Sequence, residues 1–457
     1  MNNDNIILSH DEINFLLGQS DEAIKAHIAS ITHSADIIEF FRHIDSHEWP
    51  RLLRLIDDPD LRAQVVAGFD RHEWKILLPR LSPDEIAELI KQLETDDAAD
   101  LLATIPLPER FNALKMLSQK ERVQVQQLLH YPQDSAGGLM QMELALVKED
   151  ALVSDAINMV RELVEDDIEV YSVLVVDQYY RLLGSLALVD LLLNKATTRV
   201  SSIMHSDIVS VKPLLDQEEV AAMFKKYDLI TMPVVDDKNR VLGRILIDDV
   251  VDVLAEEAEE DALHMAGTSA EELMHLGAVF ATARVRLPWL GVALCCSMVS
   301  AWLLHYFQPT VEKAVIILSF IPVITAMGGN VGTQSATLLI RGFATGKFDL
   351  SHVPTFLFKE LRVGLLVGAL YGLFAGLVGF ALMTNYNIYL GLVVFISMAC
   401  GMMTAAVLGV IAPTLLKKLN IDPAIASGPF VTTFNDITGI IIYMLISTLF
   451  LTKLEVG

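Results

Sequence analysis

Hydrophobic positions change their spacing twice along this chain. From Leu81 the sequence reads LSPDEIAELIKQL, then ETDDAADLLATIP, then LPERFNALKMLSQKERVQVQQLLHYP, with apolar residues at helical intervals behind Ser, Thr or Pro and a few acids. That is the signature of short amphipathic helices with capped N-termini, and it predicts a small all-helical domain over residues 1–136. The spacing then tightens into β-branched runs that occur twice. YSVLVVDQYYRLLGSLALVDLL from Tyr171 aligns without a gap on ITMPVVDDKNRVLGRILIDDVV from Ile230, at an offset of 59. Val175, Val176, Asp177, Arg181, Leu183, Gly184 and Asp190 match Val234, Val235, Asp236, Arg240, Leu242, Gly243 and Asp249. Upstream, Val147-Lys148 matches Val211-Lys212 at an offset of 64, so the first copy carries a longer loop. Each copy predicts a β-α-β-β-α unit. Beyond Arg284 five apolar stretches follow, at 288–307, 311–340, 361–383, 388–416 and 424–451, each near the roughly 20 residues a helix needs to cross a bilayer.

Charge sharpens this division. The 457 residues carry a net charge of −24 although 53% of them are hydrophobic, a combination unsuited to one soluble domain. Before Arg284 there are 52 acids and 24 bases; from Arg284 onward there are 6 acids and 10 bases. An acidic half joined to an apolar, slightly basic one excludes a nucleic-acid binder, which needs a basic face, and a purely soluble enzyme. Five spans place the termini on opposite sides. Arg284, Arg286, Arg341, Lys347, Lys359, Arg362, Lys417 and Lys418 fall on the side of the acidic half and only Lys313 and Lys453 on the other, so the N-terminal half is expected in the cytoplasm and the C-terminus across the membrane. Ile6-Ile7-Leu8 is too short for a signal sequence. Cys295, Cys296 and Cys400 show no metal-binding spacing and read as small buried apolar residues.

Two groups of residues are candidates for chemistry. The run from Asp248 to Asp261 holds Asp248, Asp249, Asp252, Glu256, Glu257, Glu259, Glu260 and Asp261 with no Lys or Arg. On a helix, Asp248, Asp252, Glu256 and Glu260 line one face, each like-charge pair costing about 0.2–0.5 kcal/mol. Hard divalent cations such as Mg²⁺ and Ca²⁺ would relieve that repulsion; a solvated linker helix is the bland alternative. Asp96, Asp97 and Asp100 share one helix start, where the helix dipole favours them. In the apolar half, Glu360 and the other acids lie in loops or near span ends, whereas Asp436 sits deep in a span, within SGPFVTTFNDITG beside Thr432, Thr433, Asn435 and Thr438. An acid there marks an ion or substrate path by default. Pro322 and the stretch GGNVGTQSAT from Gly328 predict an interrupted second span with irregular backbone at membrane depth, and Gly428-Pro429 predicts a similar loosening of the fifth; helix packing is the alternative for both. Gly364, Gly368, Gly372 and Gly376, four apart, predict close helix packing within or between subunits.

The repeat resembles a tandem pair of CBS domains. In nucleotide-binding members a Ser or Thr usually stands three residues before the Asp; Ala187 and Leu246 stand there in this chain, which counts against an adenine nucleotide. Together with YPQDSAGGLM (131–140), PVITAMGGNVGTQSATLLIRG (322–342) and DPAIASGPFVTTFNDITG (422–439), the order of parts resembles the MgtE family of magnesium channels or transporters. The resemblance implies an all-helical domain at 1–136, CBS domains at 137–200 and 201–262, an acidic connecting helix at 250–283 and a five-span transmembrane domain at 284–457. It also implies a homodimer in a cell (inner) membrane that takes up Mg²⁺. Asp436 is then the pore aspartate, with Asn330, Asn435 and Thr432 along the path. Regulatory Mg²⁺ would bind among Asp248, Asp249, Asp252, Glu256, Glu257, Glu260 and Asp261, with Asp96, Asp97 or Asp100 as partners. A CBS-regulated transporter of Co²⁺ or Mn²⁺ is the alternative. An intramembrane metalloprotease is disfavoured: His47-Glu48 and His72-Glu73 are followed by Arg51 and Ile76 where HExxH needs His. In CBS-regulated chloride channels the CBS pair would follow the membrane domain, the reverse of the order here.

Overall fold

In the structure, a computed structural model, residues 17–450 are described apart from 32, 166–167, 267, 269–278, 383–387, 420 and 427. Contacts divide the chain into two units, Met1–Leu254 and Ala255–Gly457.

The first unit opens with short helices: α1 (Asp21–Ser30), α2 (Ser34–Arg42), α3 (Trp49–Arg54), α4 (Pro59–Ala67), α5 (Arg71–Leu77), α6 (Pro83–Gln92), α7 (Thr95–Thr104), α8 (Leu107–Met116) and α9 (Gln119–Leu128). Their starts follow capping chemistry. Ser82 Oγ accepts from the Glu85 N–H while a Glu85 carboxylate oxygen accepts from the Ser82 N–H, and Ser118 with Glu121 repeats the device. Thr95 departs from it. It is the first residue of α7 rather than its cap, and its hydroxyl donates to Glu143 and accepts from the Met142 N–H, tying the helix to a distant segment.

The repeat follows as β1 (Leu146–Lys148), α10 (Val153–Glu165), β2 (Ser172–Val176), β3 (Leu182–Ala187) and α11 (Leu188–Leu193), then α12 (Gln217–Tyr227), β4 (Thr231–Val235), β5 (Val241–Leu246) and α13 (Ile247–Ala266). β1 runs parallel to β2 and β2 antiparallel to β3. In the second copy the first strand shrinks to a single parallel bridge, Val211 to Val234. The offset of 59 holds at atomic detail. Asp177 Oδ1 accepts from the Tyr179 and Arg181 N–H groups, and Asp236 Oδ1 from those of Lys238 and Arg240. Tyr180 and Asn239 both take a left-handed backbone, with φ of 62° and 64°. The copies meet at these turns, the Leu182 N–H donating to the Asn239 carbonyl and the Val241 N–H to that of Tyr180.

The core explains the order of parts. One apolar cluster runs from Ile24 through the helices into Val211, Phe224, Met232, Ile245 and Val253 of the second copy, whereas the first copy has its own cluster around Val173, Val175, Leu186 and Leu191. Residues 137–141, grouped by sequence with the first copy, lie on the second: Gly137 N–H donates to the Pro213 carbonyl, and Gln141 and Arg244 exchange both backbone hydrogen bonds. A Cβ on Gly137 would come within 2.5 Å of the Tyr131 ring and 2.9 Å of the Pro213 carbonyl, so the glycine admits the crossing.

The second unit holds α14 (Val279–Tyr306), α15 (Gln308–Lys313), α16 (Ile321–Ala344), α17 (Val353–Leu382), α18 (Ile388–Lys418) and α19 (Gly428–Leu449). Five helical stretches are long and apolar enough to cross a membrane: Thr282–Tyr306, Val315–Ala344, Val353–Ala381, Ile388–Lys418 and Phe430–Leu449. The four glycines of α17 seat against α18. A Cβ at Gly364, Gly368, Gly372 or Gly376 would lie 2.9, 2.9, 2.8 or 2.6 Å from backbone atoms of Met402, Ala399, Phe395 or Gly391, so the packing they predict lies within this chain.

The second span corrects an expectation. GGNVGTQSAT is continuous α-helix, because Pro322 falls in the first turn of α16, where its missing N–H leaves nothing unsatisfied. The irregularity lies earlier, in a 3₁₀ turn at Val315–Phe320, closed by the buried Tyr443 hydroxyl donating 2.8 Å to the Ile317 carbonyl. Gly428 likewise begins α19 rather than interrupting it. Most of the connecting stretch beyond α13, at 269–278, lies outside the described residues.

Candidate ion path and acidic cluster

α7 and α13 bring carboxylates together inside the first unit. Asp96, in the first turn of α7, is 7% exposed, and its Oδ1 has no hydrogen-bond partner among the described residues. Asp249, in the first turn of α13, also keeps a buried oxygen without a partner. Burial, with the Asp249 charge beside it, holds the Asp96 carboxyl well above the ordinary range. Burial and Asp248 push Asp249 up to about 8. Asp97 rises to about 6 through burial and the charges of Asp100, Asp248 and Asp252. Asp252 is raised by burial and Asp248. The cluster therefore sits with too much negative charge for its surroundings, the state in which a divalent cation has most to offer.

Two neighbours complete it that sequence reading passed over. Glu94, just before α7, is pushed up to about 7 by burial and by Asp97 and Glu143, and it accepts from the Gln141 amide. Arg244, in β5, is buried and its charge pulls against that rise. Only their position beside TDDAAD and IDDV could have flagged them. Asp100 is already taken up, accepting 2.9 Å from Gln133 and lying 3.4 Å from Arg71.

The later part of α13 belongs to the second unit. There Glu256 and Glu260 are exposed, Glu257 is partly covered, and Asp261 is half-buried. Asp261 is raised by burial and the nearby Asp422 charge, against the pull of His264, which lies 3.0 Å from Asp422 and 3.7 Å from Glu260. Asp422, placed in a loop by sequence, is thus drawn to the acidic helix. Among the described residues no group of three His, Cys, Asp or Glu side chains is arranged to hold a metal ion.

In the transmembrane part α16 and α19 pack along their glycines. A Cβ on Gly328 would meet Asn435 Oδ1 at 2.6 Å, one on Gly329 would lie 3.5 Å from Thr432 Cγ2, and one on Gly332 would meet Val431 at 2.8 Å. Asp436 stands near the middle of the 22-residue α19, half-buried, one helical turn beyond Thr432. No hydrogen bond or ion pair engages it among the described residues, in contrast to Glu360. That acid, expected near a span end, is 4% exposed inside the longer α17 and accepts 2.8 Å from Ser335 Oγ of α16. Asn330 faces outward from α16. Asn435 is 1% exposed and turned into α16, its Nδ2 donating 3.0 Å to the Thr325 carbonyl; it does not stand open beside Asp436 as expected.

Comparison with known proteins decides the family. The MgtE divalent cation transporter profile matches residues 321–446, that of the MgtE intracellular N domain residues 32–134, and that of the CBS domain residues 200–256. The chain is 34% identical to a magnesium transporter MgtE of Thermus thermophilus, aligned over 89% of this chain and 96% of the relative. This chain belongs to the MgtE family. A Bacillus subtilis magnesium transporter MgtE is 29% identical over 92% of both chains. The solved cytosolic domain of the Mg²⁺ channel MgtE in complex with ATP is 30% identical, spans 54% of this chain and all of its own, and superposes with a TM-score of 0.50.

The family's parts are therefore present in order: an MgtE helical N domain, a CBS repeat, an acidic helix and five membrane-length helices. Within that frame the structure gathers Asp96, Asp97, Asp248, Asp249 and Asp252 in one cluster and Glu260, Asp261 and Asp422 in another. Thr432 and Asp436 share a face of α19. Asp100 adjoins the first cluster through Asp97, Asn330 is exposed on α16, and Asn435 is turned into the packing of α16 and α19.

Proposed function

We propose that this protein is a Mg²⁺-selective channel for uptake, closed by Mg²⁺ bound to its own acidic cytoplasmic part. The observation that carries the transport reading is Asp436: a carboxylate at mid-span, half-buried, with no cationic or hydrogen-bonding partner among the described residues. A charge so placed is costly unless an ion visits it. Mg²⁺ dehydrates reluctantly and is held through one or two carboxylates and retained water, so a single aspartate from each of two subunits, with Thr432 one turn away, suits a hydrated ion that must also leave. The homodimer, the cytoplasmic N-terminal half and the C-terminus on the far side belong to this proposal.

Gating rests on the two carboxylate groups. At low Mg²⁺, repulsion within Asp96, Asp97, Asp248, Asp249 and Asp252, and within Glu256, Glu257, Glu260 and Asp261, favours separation; bound ions reverse it. Several weak sites together supply the few kcal/mol that shift a two-state equilibrium. No nucleotide is needed in this scheme: Asp190, the repeat aspartate, accepts from the Ala187 N–H and lies 3.2 Å from His205.

Ion flux into liposomes holding the purified chain tests the proposal. Mg²⁺ enters, Co²⁺ and Mn²⁺ compete weakly, and Asp436→Ala abolishes flux while the protein remains folded; normal flux through the folded variant, or preferred passage of Co²⁺ or Mn²⁺, rejects it.

A further inference from the structure

The Asn435 amide is buried between two transmembrane helices, and its geometry is unusual in two respects. Its Nδ2 donates 3.0 Å to the Thr325 carbonyl of α16, a backbone group on a different helix. Its Oδ1 is buried with no hydrogen-bond partner among the described residues and lies 2.6 Å from the ideal position of a Cβ on Gly328, too close for any side chain there. A buried polar atom left unmade is costly, and a glycine inside a helix weakens it. Both are tolerated at one contact, and together they fix a side chain that has no access to a transported ion.

We infer that Asn435 is a positioning residue: its amide, admitted by Gly328, locks the rotation of α19 against α16 and thereby sets the direction in which Asp436 points. Successive helix positions differ by about 100°, so clamping Asn435 to Thr325 leaves its neighbour no freedom to turn toward α16. Further anchors hold α19 to the segments that precede α16, with Tyr443 OH on the Ile317 carbonyl of the 3₁₀ turn and the Thr448 hydroxyl 3.0 Å from that of Thr310 in α15. Both lie on one side of the contact, toward the C-terminal end of α19; Asn435 is the one beside the carboxylate. The inference explains why the two glycines of the GGN stretch sit in unbroken helix: Gly328 makes room for an amide.

The inference rests on Asp436 facing the ion path, and the test separates the two. In a full-length protein carrying Cys295→Ala, Cys296→Ala and Cys400→Ala, an Asp436→Cys thiol is exposed, in liposomes, to a membrane-impermeant charged methanethiosulfonate. No reaction with Asn435 intact means that position 436 does not face water, which overturns the ion-path reading and this inference with it. Reaction is expected, and adding Asn435→Leu or Gly328→Ala slows it about tenfold, the scale of one hydrogen bond. An unchanged rate overturns the positioning role and leaves the ion path standing. Loss of folding gives faster reaction, the opposite sign, and likewise counts against it. In an Asn435→Ala background the added methyl of Gly328→Ala meets no amide, so it slows reaction no further; a full additional effect there also overturns the inference.

Discussion

The acids of the first unit and the acid at mid-membrane solve opposite problems. Around α7 and α13, carboxylates are crowded, and two buried oxygens, on Asp96 and Asp249, have no hydrogen-bond partner among the described residues. In α19 one carboxylate, Asp436, stands without like-charged company among the described residues. Crowding makes a site whose charge depends steeply on cation and proton concentration, because each group's ionisation is set by its neighbours. Isolation makes a site that attracts a cation without holding it. The proposed sensor and the proposed filter need these two behaviours, and on this proposal both use aspartate, set apart by the company it keeps.

The largest expected effect separates the two regions. Asp96→Asn with Asp249→Asn, or neutralisation of Glu256, Glu257, Glu260 and Asp261 together, leaves Mg²⁺ flux intact but removes its inhibition by millimolar Mg²⁺ on the side of the N-terminal half, measured in liposomes. Inhibition that persists in both variants removes the sensor from the acidic cluster and breaks the contrast.

A second effect is pH dependence of the first unit. Asp96, Asp97, Asp249 and Glu94 hold their protons to higher pH in the folded chain than the roughly 4 of an unfolded carboxyl. Between about pH 4 and about pH 8 the folded state binds more protons, so stability falls as pH rises through that window. Melting of the full chain in detergent without divalent ions therefore shifts to lower temperature from about pH 5 to about pH 8, and saturating Mg²⁺ flattens the slope. A rise with pH would contradict the burial of this charge.

The smallest effect concerns the other buried acid of the membrane part. Glu360 serves Ser335, so Glu360→Gln, which keeps an acceptor, alters flux and melting little, whereas Glu360→Leu strands a buried hydroxyl at a cost of about 1–3 kcal/mol. Flux lost in Glu360→Gln as completely as in Asp436→Ala would place a second carboxylate on the ion path.

Most of the architecture was legible because it is periodic. The repeat offset carried through to matched turns at Asp177 and Asp236, and five apolar runs became five membrane-length helices. What was hidden depends on partners far along the chain. Thr95 looked like a cap because its local sequence is cap-like; its hydroxyl is used by Met142 and Glu143. Glu360, between Lys359 and Arg362, looked like a span end because nothing local shows that α17 begins at Val353. The glycines of α16 looked like a break because glycine weakens helices in isolation, and here a neighbouring amide uses the space. Asp436 was found because an acid in an apolar run needs no partner to be conspicuous.

The glycine row of α17 carries a consequence for motion. Where backbone rests on backbone there are no rotamers to absorb a shift, so a screw motion of one residue, about 1.5 Å with about 100° of rotation, would drive Leu365, Ala369, Leu373 and Leu377 into seats shaped for glycine. The next fitting register is four residues away, about 6 Å along the axis. The row is a ratchet with widely spaced teeth: it favours α17 and α18 moving as one body, so that opening of the proposed ion path would fall to helices that lack such a row.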